Sequence, residues 1–193
     1  MSHDADATTG GQAEASSTPL WKSIIHSPLA LPLAGLVVVS ILMGFASDNF
    51  FSVSNILNVL RQVSIVAILA VGMTFVILTG GIDLSVGAVM ALAGTMAAGL
   101  MINSGMPGYV GLLAGVGIAV GLGLFNGLLV AWGRMPAIIV TLATMGIARG
   151  AGLIYSGGYP ISGLPSWISW FGVGRIGMIP VPVIAMVIVY ALA

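Results

Sequence analysis

Thr79-Gly80-Gly81-Ile82-Asp83-Leu84-Ser85-Val86-Gly87 is the stretch on which the reading of this chain turns. It interrupts a long apolar run with the only acidic residue between Asp48 and Ala193. Two glycines before the acid and one after it give the backbone a freedom that a continuous helix does not need. The pattern predicts a break between two membrane segments. Insertion scales place an aspartate at a helix centre about 2.5–3.5 kcal/mol uphill, so Asp83 is expected to face protein or a cavity and not lipid. Two roles fit these residues. In one, the Gly80-Gly81 bend sets Asp83 and Ser85 at a helix start beside a solute path or its gate. In the other, Asp83 caps the following helix by accepting hydrogen bonds from its first free N–H groups.

Working outward, composition sets the class. Hydrophobic residues make up 59% of the chain and charged residues 5%, with a mean hydropathy of +1.16, whereas an average soluble domain is roughly 25% charged. No charge occurs from Leu84 to Gly133, a run far longer than the roughly 20 residues that one helix needs to cross a bilayer. The apolar runs are continuous and do not alternate, which argues against a β-barrel. The fold expected is all-α, a polytopic transmembrane helical bundle embedded in the lipid bilayer. A formal net charge of zero gives no sign of nucleic-acid binding.

The polar residues 1–28 are expected to form a disordered tail, and residues 29–193 the membrane domain. The first span is placed at Leu29–Ala46. A capped helix then begins near Ser54, with Asn58, Arg61 and Gln62 opposite Ile56, Leu57 and Leu60. It reads equally as an interfacial helix or as the polar end of the second span, Val63–Thr79. The third span is Val86–Ile102, and Asn103-Ser104-Gly105-Met106-Pro107-Gly108 is a turn. The fourth, Tyr109–Trp132, carries three small-xxx-small pairs, Gly111/Gly115, Gly117/Gly121 and Gly123/Gly127. Such pairs let helix backbones approach closely, and they are expected to serve packing, although they also leave room for a solute. Pro136 opens the next helix, Ala137 to about Ile154. Residues 156–177, with Trp167, Trp170 and Phe171, read as an interfacial loop or short re-entrant helix, and Pro180 begins a further span. Lys22 and Arg134 fall on one side and Arg61 and Arg175 on the other, so charge assigns no orientation.

The chemistry present suits a pathway better than a catalyst. Asp83 has no acidic neighbour for an aspartyl dyad, no histidine lies beyond His26, and cysteine is absent, which excludes disulfides and thiolate metal sites. No Walker-type phosphate loop occurs, so the chain is expected to bind no cofactor and to leave ATP to another subunit. The candidate path or gate residues are Thr79, Gly80, Gly81, Asp83, Ser85, Asn126, Thr141, Thr144 and Arg149. Most are neutral hydrogen-bonding types that match a polar uncharged solute better than an ion, and each also serves as an interhelical contact in a bland reading. An ion-coupled carrier using Asp83 and Arg149, and a non-transporting membrane assembly protein, are the alternatives.

Met73-Thr74-Phe75-Val76-Ile77-Leu78 leading into the Thr79–Gly87 stretch closely resembles the signature of permease subunits in bacterial ATP-binding-cassette importers for ribose, xylose, related monosaccharides and autoinducer-2. Further matches follow in order: Asn49-Phe50-Phe51, Asn55-Ile56-Leu57-Asn58, Gly133-Arg134, Pro136-Ala137-Ile138, Thr141-Leu142-Ala143-Thr144-Met145, Arg149-Gly150, Phe171-Gly172 and Pro180-Val181-Pro182. The resemblance spans about residues 29–193. It implies a multi-pass protein of the bacterial inner membrane with about ten spans in full. Its implied partners are a second permease copy, an ATPase subunit, a substrate-binding protein and a monosaccharide. The resemblance also implies a cytoplasmic coupling region after the span that begins at Pro180, so the 193 residues are expected to be a fragment or a truncated product.

Overall fold

The computed structural model describes residues 30–193; the tail expected over 1–28 lies outside them. Two units are distinguished, residues 30–52 and Val53–Ala193. The first holds α1, Ala30–Ala46, followed by a turn in which Phe50 and Phe51 meet edge to face, with ring centroids 4.9 Å apart. Gly44 lies against the Phe51 ring.

The second unit contains α2 (Val53–Leu78), α3 (Val86–Ile102), α4 (Gly108–Ala131), α5 (Ala137–Ser156) and α6 (Ser166–Val173). An antiparallel pair follows, β1 (Arg175–Ile176) with β2 (Ile179–Pro180), and then α7 (Val181–Leu192). Of the two readings of residues 54–62, the structure shows the second: α2 runs unbroken from Val53. Leucines, isoleucines and valines surround it, and Ser64 is its single buried residue. Ser64 donates its hydroxyl to the Leu60 carbonyl at 2.6 Å. Beyond Gln62 the helix carries apolar residues on all sides, the pattern of a buried or membrane-spanning helix.

Three helices, α2, α4 and α5, are long and apolar enough to cross a bilayer, while α1, α3 and α7 are shorter apolar helices. The 17 residues of α3 rise only about 26 Å, less than the roughly 30 Å of a hydrocarbon core.

Packing divides the second unit. Helices α3, α4 and α5 pack on one another, while α2 packs chiefly on α7, where the Tyr190 hydroxyl donates to the Ala67 carbonyl at 3.3 Å. In the three-helix group, Ala88, Val89, Leu92 and Ala148 form the buried core. Gly111 and Gly115 bring α4 onto α3. A Cβ at Gly115 would lie 2.9 Å from the Ala93 carbonyl oxygen, and one at Gly111 would lie 2.8 Å from that of Ala97. Gly117, Gly121, Gly123 and Gly127 share the spacing, yet a Cβ on any of them would meet nothing within 4 Å among the described residues.

Helix α2 ends because Gly80 adopts φ +80° and returns its N–H to the Ile77 carbonyl at 2.9 Å, a left-handed stop that glycine makes without steric penalty. An added methyl at Gly80 would touch nothing, so Gly80→Ala tests backbone strain alone. It is expected to lower stability by about 1–2 kcal/mol. Gly81→Ala, whose Cβ would rest in ordinary contact with Val76 and Ala137, is expected to be nearly neutral. Thermal unfolding in detergent compares the two, and equal melting temperatures would refute the assignment.

Candidate functional site

Residues 81–84 belong to no helix or strand, and the chain bends at Leu84, so the polar groups of the break need partners from elsewhere. Asp83 supplies the first. Its Oδ1 accepts the Ser85 N–H at 2.7 Å and the Ser85 hydroxyl at 2.6 Å. This is an Asx-type turn immediately before α3, whose N-cap is Ser85 itself. Asp83 thus shapes the approach to the helix without occupying the cap position.

From Ser85 the bonding continues into two other helices. Asn126 on α4 donates its amide to Ser85 Oγ at 3.0 Å, and Thr144 on α5 donates its hydroxyl to Asn126 Oδ1 at 2.5 Å. Thr141, one turn before Thr144, shares its proton between the Ala137 carbonyl at 2.8 Å and the Ile82 carbonyl at 3.3 Å. Ser85, Asn126, Thr141 and Thr144 are all buried, between 1% and 5% exposed. Among the described residues no buried side-chain nitrogen or oxygen lacks a hydrogen-bond partner. A buried polar network with every member satisfied fixes one arrangement of its helices. Here it fastens the break to α4 and α5.

The sequence singled out these five residues without knowing that they meet. Gly81 lies with them, near Ala137. Thr79 and Gly80 are exposed, and the Thr79 hydroxyl donates to the Val76 carbonyl of its own helix at 2.7 Å. Arg149 is exposed and takes no part in the Asp83 network.

Two cavities flank this network. The larger, about 500 Å³, lies between α2 at Leu69 and the facing sides of α3 and α4. Asp83 and Ser85 are among its lining residues, and apolar groups such as Val89, Met90 and Val116 form most of its wall. The smaller, about 210 Å³, lies between α3 and α5 and is lined by Arg149, Thr95 and Ser156 among small residues. Ser156 was not among the sequence candidates because it was read as the start of a loop. Its separation of seven residues from Arg149 puts both on one helical face, two turns apart, and that is the signal that identifies it.

The family model described as "Branched-chain amino acid transport system / permease component" matches residues 55–193, which contain the break, the network and both cavities. The chain belongs to this family. Among curated proteins, the chain is 48% identical over 163 residues to the ribose import permease protein RbsC of Bacillus subtilis, covering 83% of this chain and 50% of that protein. It is 40% identical over 168 residues to the Escherichia coli K12 protein of the same name, covering 83% and 51%. To the autoinducer 2 import system permease protein LsrC of Escherichia coli HS it is 34% identical over 159 residues, covering 79% and 46%. This permease chain spans about half the length of the curated relatives it matches. No solved structure matches it. Its apolar helices and its family together make it a multi-pass membrane protein.

Proposed function

We propose that this permease chain is part of the membrane subunit of an ATP-binding-cassette importer that forms the path for a monosaccharide or a similar small polar solute. The carrying observation is its identity of 40–48% to ribose import permeases. The predominance of neutral hydroxyl and amide groups among its buried polar residues supports the same reading. In this reading the full protein, of about ten spans, resides in the bacterial inner membrane and works as a homodimer. A binding protein delivers the solute, and a separate ATPase subunit drives alternation between two states of different affinity. The permease itself is not an enzyme.

The ion-coupled alternative needs Asp83 and Arg149 to act together. Asp83 is engaged by Ser85, and Arg149 lines the other cavity, so the geometry favours a network that holds the break in place. A substitution at Asp83 separates the two. Asp83→Ala removes both hydrogen bonds that the carboxylate accepts from Ser85 and leaves the Ser85–Asn126–Thr144 chain in place. It is expected to reduce uptake of labelled ribose by about tenfold or more, at a near-normal amount of membrane protein. Asp83→Asn keeps an oxygen where Ser85 donates and is expected to retain most uptake, whereas a carboxylate needed for ion coupling fails in both variants. If the Asp83→Ala protein disappears from the membrane, Asp83 serves only to hold the entry to α3.

The reading as a whole is tested by tagging the full-length gene product, extracting it in mild detergent and identifying its companions by mass spectrometry. Co-purification of an ATPase, with uptake that persists when an ionophore collapses the proton gradient, is the expected result. A protein that comes out alone, with uptake following the gradient, sinks it.

A further inference from the structure

The smaller cavity carries chemistry that the Asp83 network leaves unused. Arg149 is its one charged lining residue. Among the described residues nothing accepts a hydrogen bond from Arg149. Val53–Ala193 contains a single acid, Asp83, and Asp83 lines the other cavity. A guanidinium presents five N–H donors in a fixed fork, and a cation left unpaired in a membrane segment is costly enough to mark a site.

The same cavity offers acceptors. The Thr95 hydroxyl proton is committed to the Ala91 carbonyl at 2.8 Å, and that of Ser156 points at the Leu153 carbonyl at 3.4 Å. Ser156 Oγ also accepts the Gly158 N–H at 3.2 Å, so it keeps one lone pair for a solute, whereas no protein donor occupies Thr95 Oγ1 among the described residues. Small residues such as Gly87, Ala88 and Gly152, together with Leu92 and Leu153, line the rest of the wall and leave a space of about 210 Å³, the room of roughly seven liquid waters. A simple anion would use the guanidinium and find the two hydroxyl oxygens acting as acceptors against it. A neutral polyol uses both, because each of its hydroxyls donates and accepts.

We propose that the cavity between α3 and α5 is a contact site for one monosaccharide ring, with Arg149 donating to neighbouring sugar oxygens while Thr95 and Ser156 accept from sugar hydroxyls. The choice of a sugar rests on the importer reading above, and the assignment goes beyond it. Solute contact falls to the Arg149 cavity, and the Asp83 network becomes its anchor.

The absence of cysteine from the 193 residues makes the test direct. Ser156→Cys is introduced into the full-length protein in membrane vesicles, and maleimide labelling of position 156 is followed by peptide mass spectrometry. The expected result is a thiol that labels freely. With ribose, xylose or galactose at about ten times its Kd, labelling slows about tenfold, as single-site occupancy requires. Arg149→Met in the same background is expected to abolish the protection, and Thr95→Val to weaken it. If the Arg149→Met protein does not accumulate, the Thr95→Val comparison decides, and unchanged protection there overturns the site. Three other results overturn it: no slowing by any of these sugars, equal slowing by inorganic phosphate, or a thiol that never labels. Uptake in the same vesicles separates this proposal from the importer reading. ATP-driven uptake without protection overturns the site alone, whereas protection with gradient-driven uptake overturns the importer and leaves the site.

Discussion

Asn126→Asp is expected to destabilise the folded protein by about 3 kcal/mol, the repulsion of two carboxylates under about 6 Å apart at an effective dielectric constant near 20. The separation follows from the network, because Asn126 lies 3.0 Å from Ser85 Oγ, and Ser85 Oγ lies 2.6 Å from Asp83. The Ser85 hydroxyl has one proton and two carboxylates would compete for it. Thr144 could still donate to the new acid, so the damage is confined to the Ser85 side. Folded protein recovered as a monodisperse peak in mild detergent is expected to fall to a small fraction of the wild-type amount. The double variant Asp83→Asn/Asn126→Asp restores a single charge and an amide partner, and is expected to recover most of the loss. A single variant that accumulates normally, or a double variant no better than the single, would show that the network does not hold these helices.

The second large effect belongs to Gly115. A side chain there meets the Ala93 carbonyl oxygen at 2.9 Å and the Ala97 methyl at 3.0 Å. Neither neighbour can swing away, since one is backbone and the other has no rotamer. Gly115→Val therefore forces α3 and α4 apart, at an overpacking cost of about 1–3 kcal/mol. The consequence extends along α4, because Asn126 must stay within reach of Ser85 across the same helix pair. Gly117→Val carries the same β-branched helix penalty with open space around it, so the difference between the two variants isolates interhelical packing. A melting temperature for Gly115→Val well below that of Gly117→Val is expected in thermal unfolding. Equal values would contradict the close approach.

The helices were legible because hydropathy and turn residues act locally. Val86–Ile102 is the span read from sequence, and the fourth helix differs by one residue at each end. What was not legible depends on distant partners. Asn126 and Thr144 stand out as polar residues in apolar helices, but their bonds join positions 41 and 18 residues apart. No periodicity encodes that pairing. The glycine pairs make the same point, since one spacing recurs three times on α4 while only Gly111 and Gly115 face α3 closely. At Asn58, Arg61 and Gln62 the two-sided pattern suited either a surface helix or a helix end. The bond from Arg61 to Asn58 at 3.1 Å lies along one face of the continuous α2, where local pairing satisfies the polar groups. The short β1–β2 pair went unread, β1 falling in the segment taken as an interfacial loop or short re-entrant helix and Pro180 of β2 taken as the start of the last span, because two residues per strand leave no pattern to detect.

The division of the second unit into α2 with α7 and α3 with α4 and α5 gives the Thr79–Ser85 stretch a mechanical meaning. Its far end is pinned by Ser85, Asn126 and Thr144, whereas its near end follows α2 through Gly80. A rotation about the backbone at Gly80 and Gly81 would move α2 relative to the end held by the Ser85–Asn126–Thr144 hydrogen bonds. The larger cavity has its wall on both sides of that joint, Leu69 on one and Met90 and Val116 on the other, so its width would follow such a rotation.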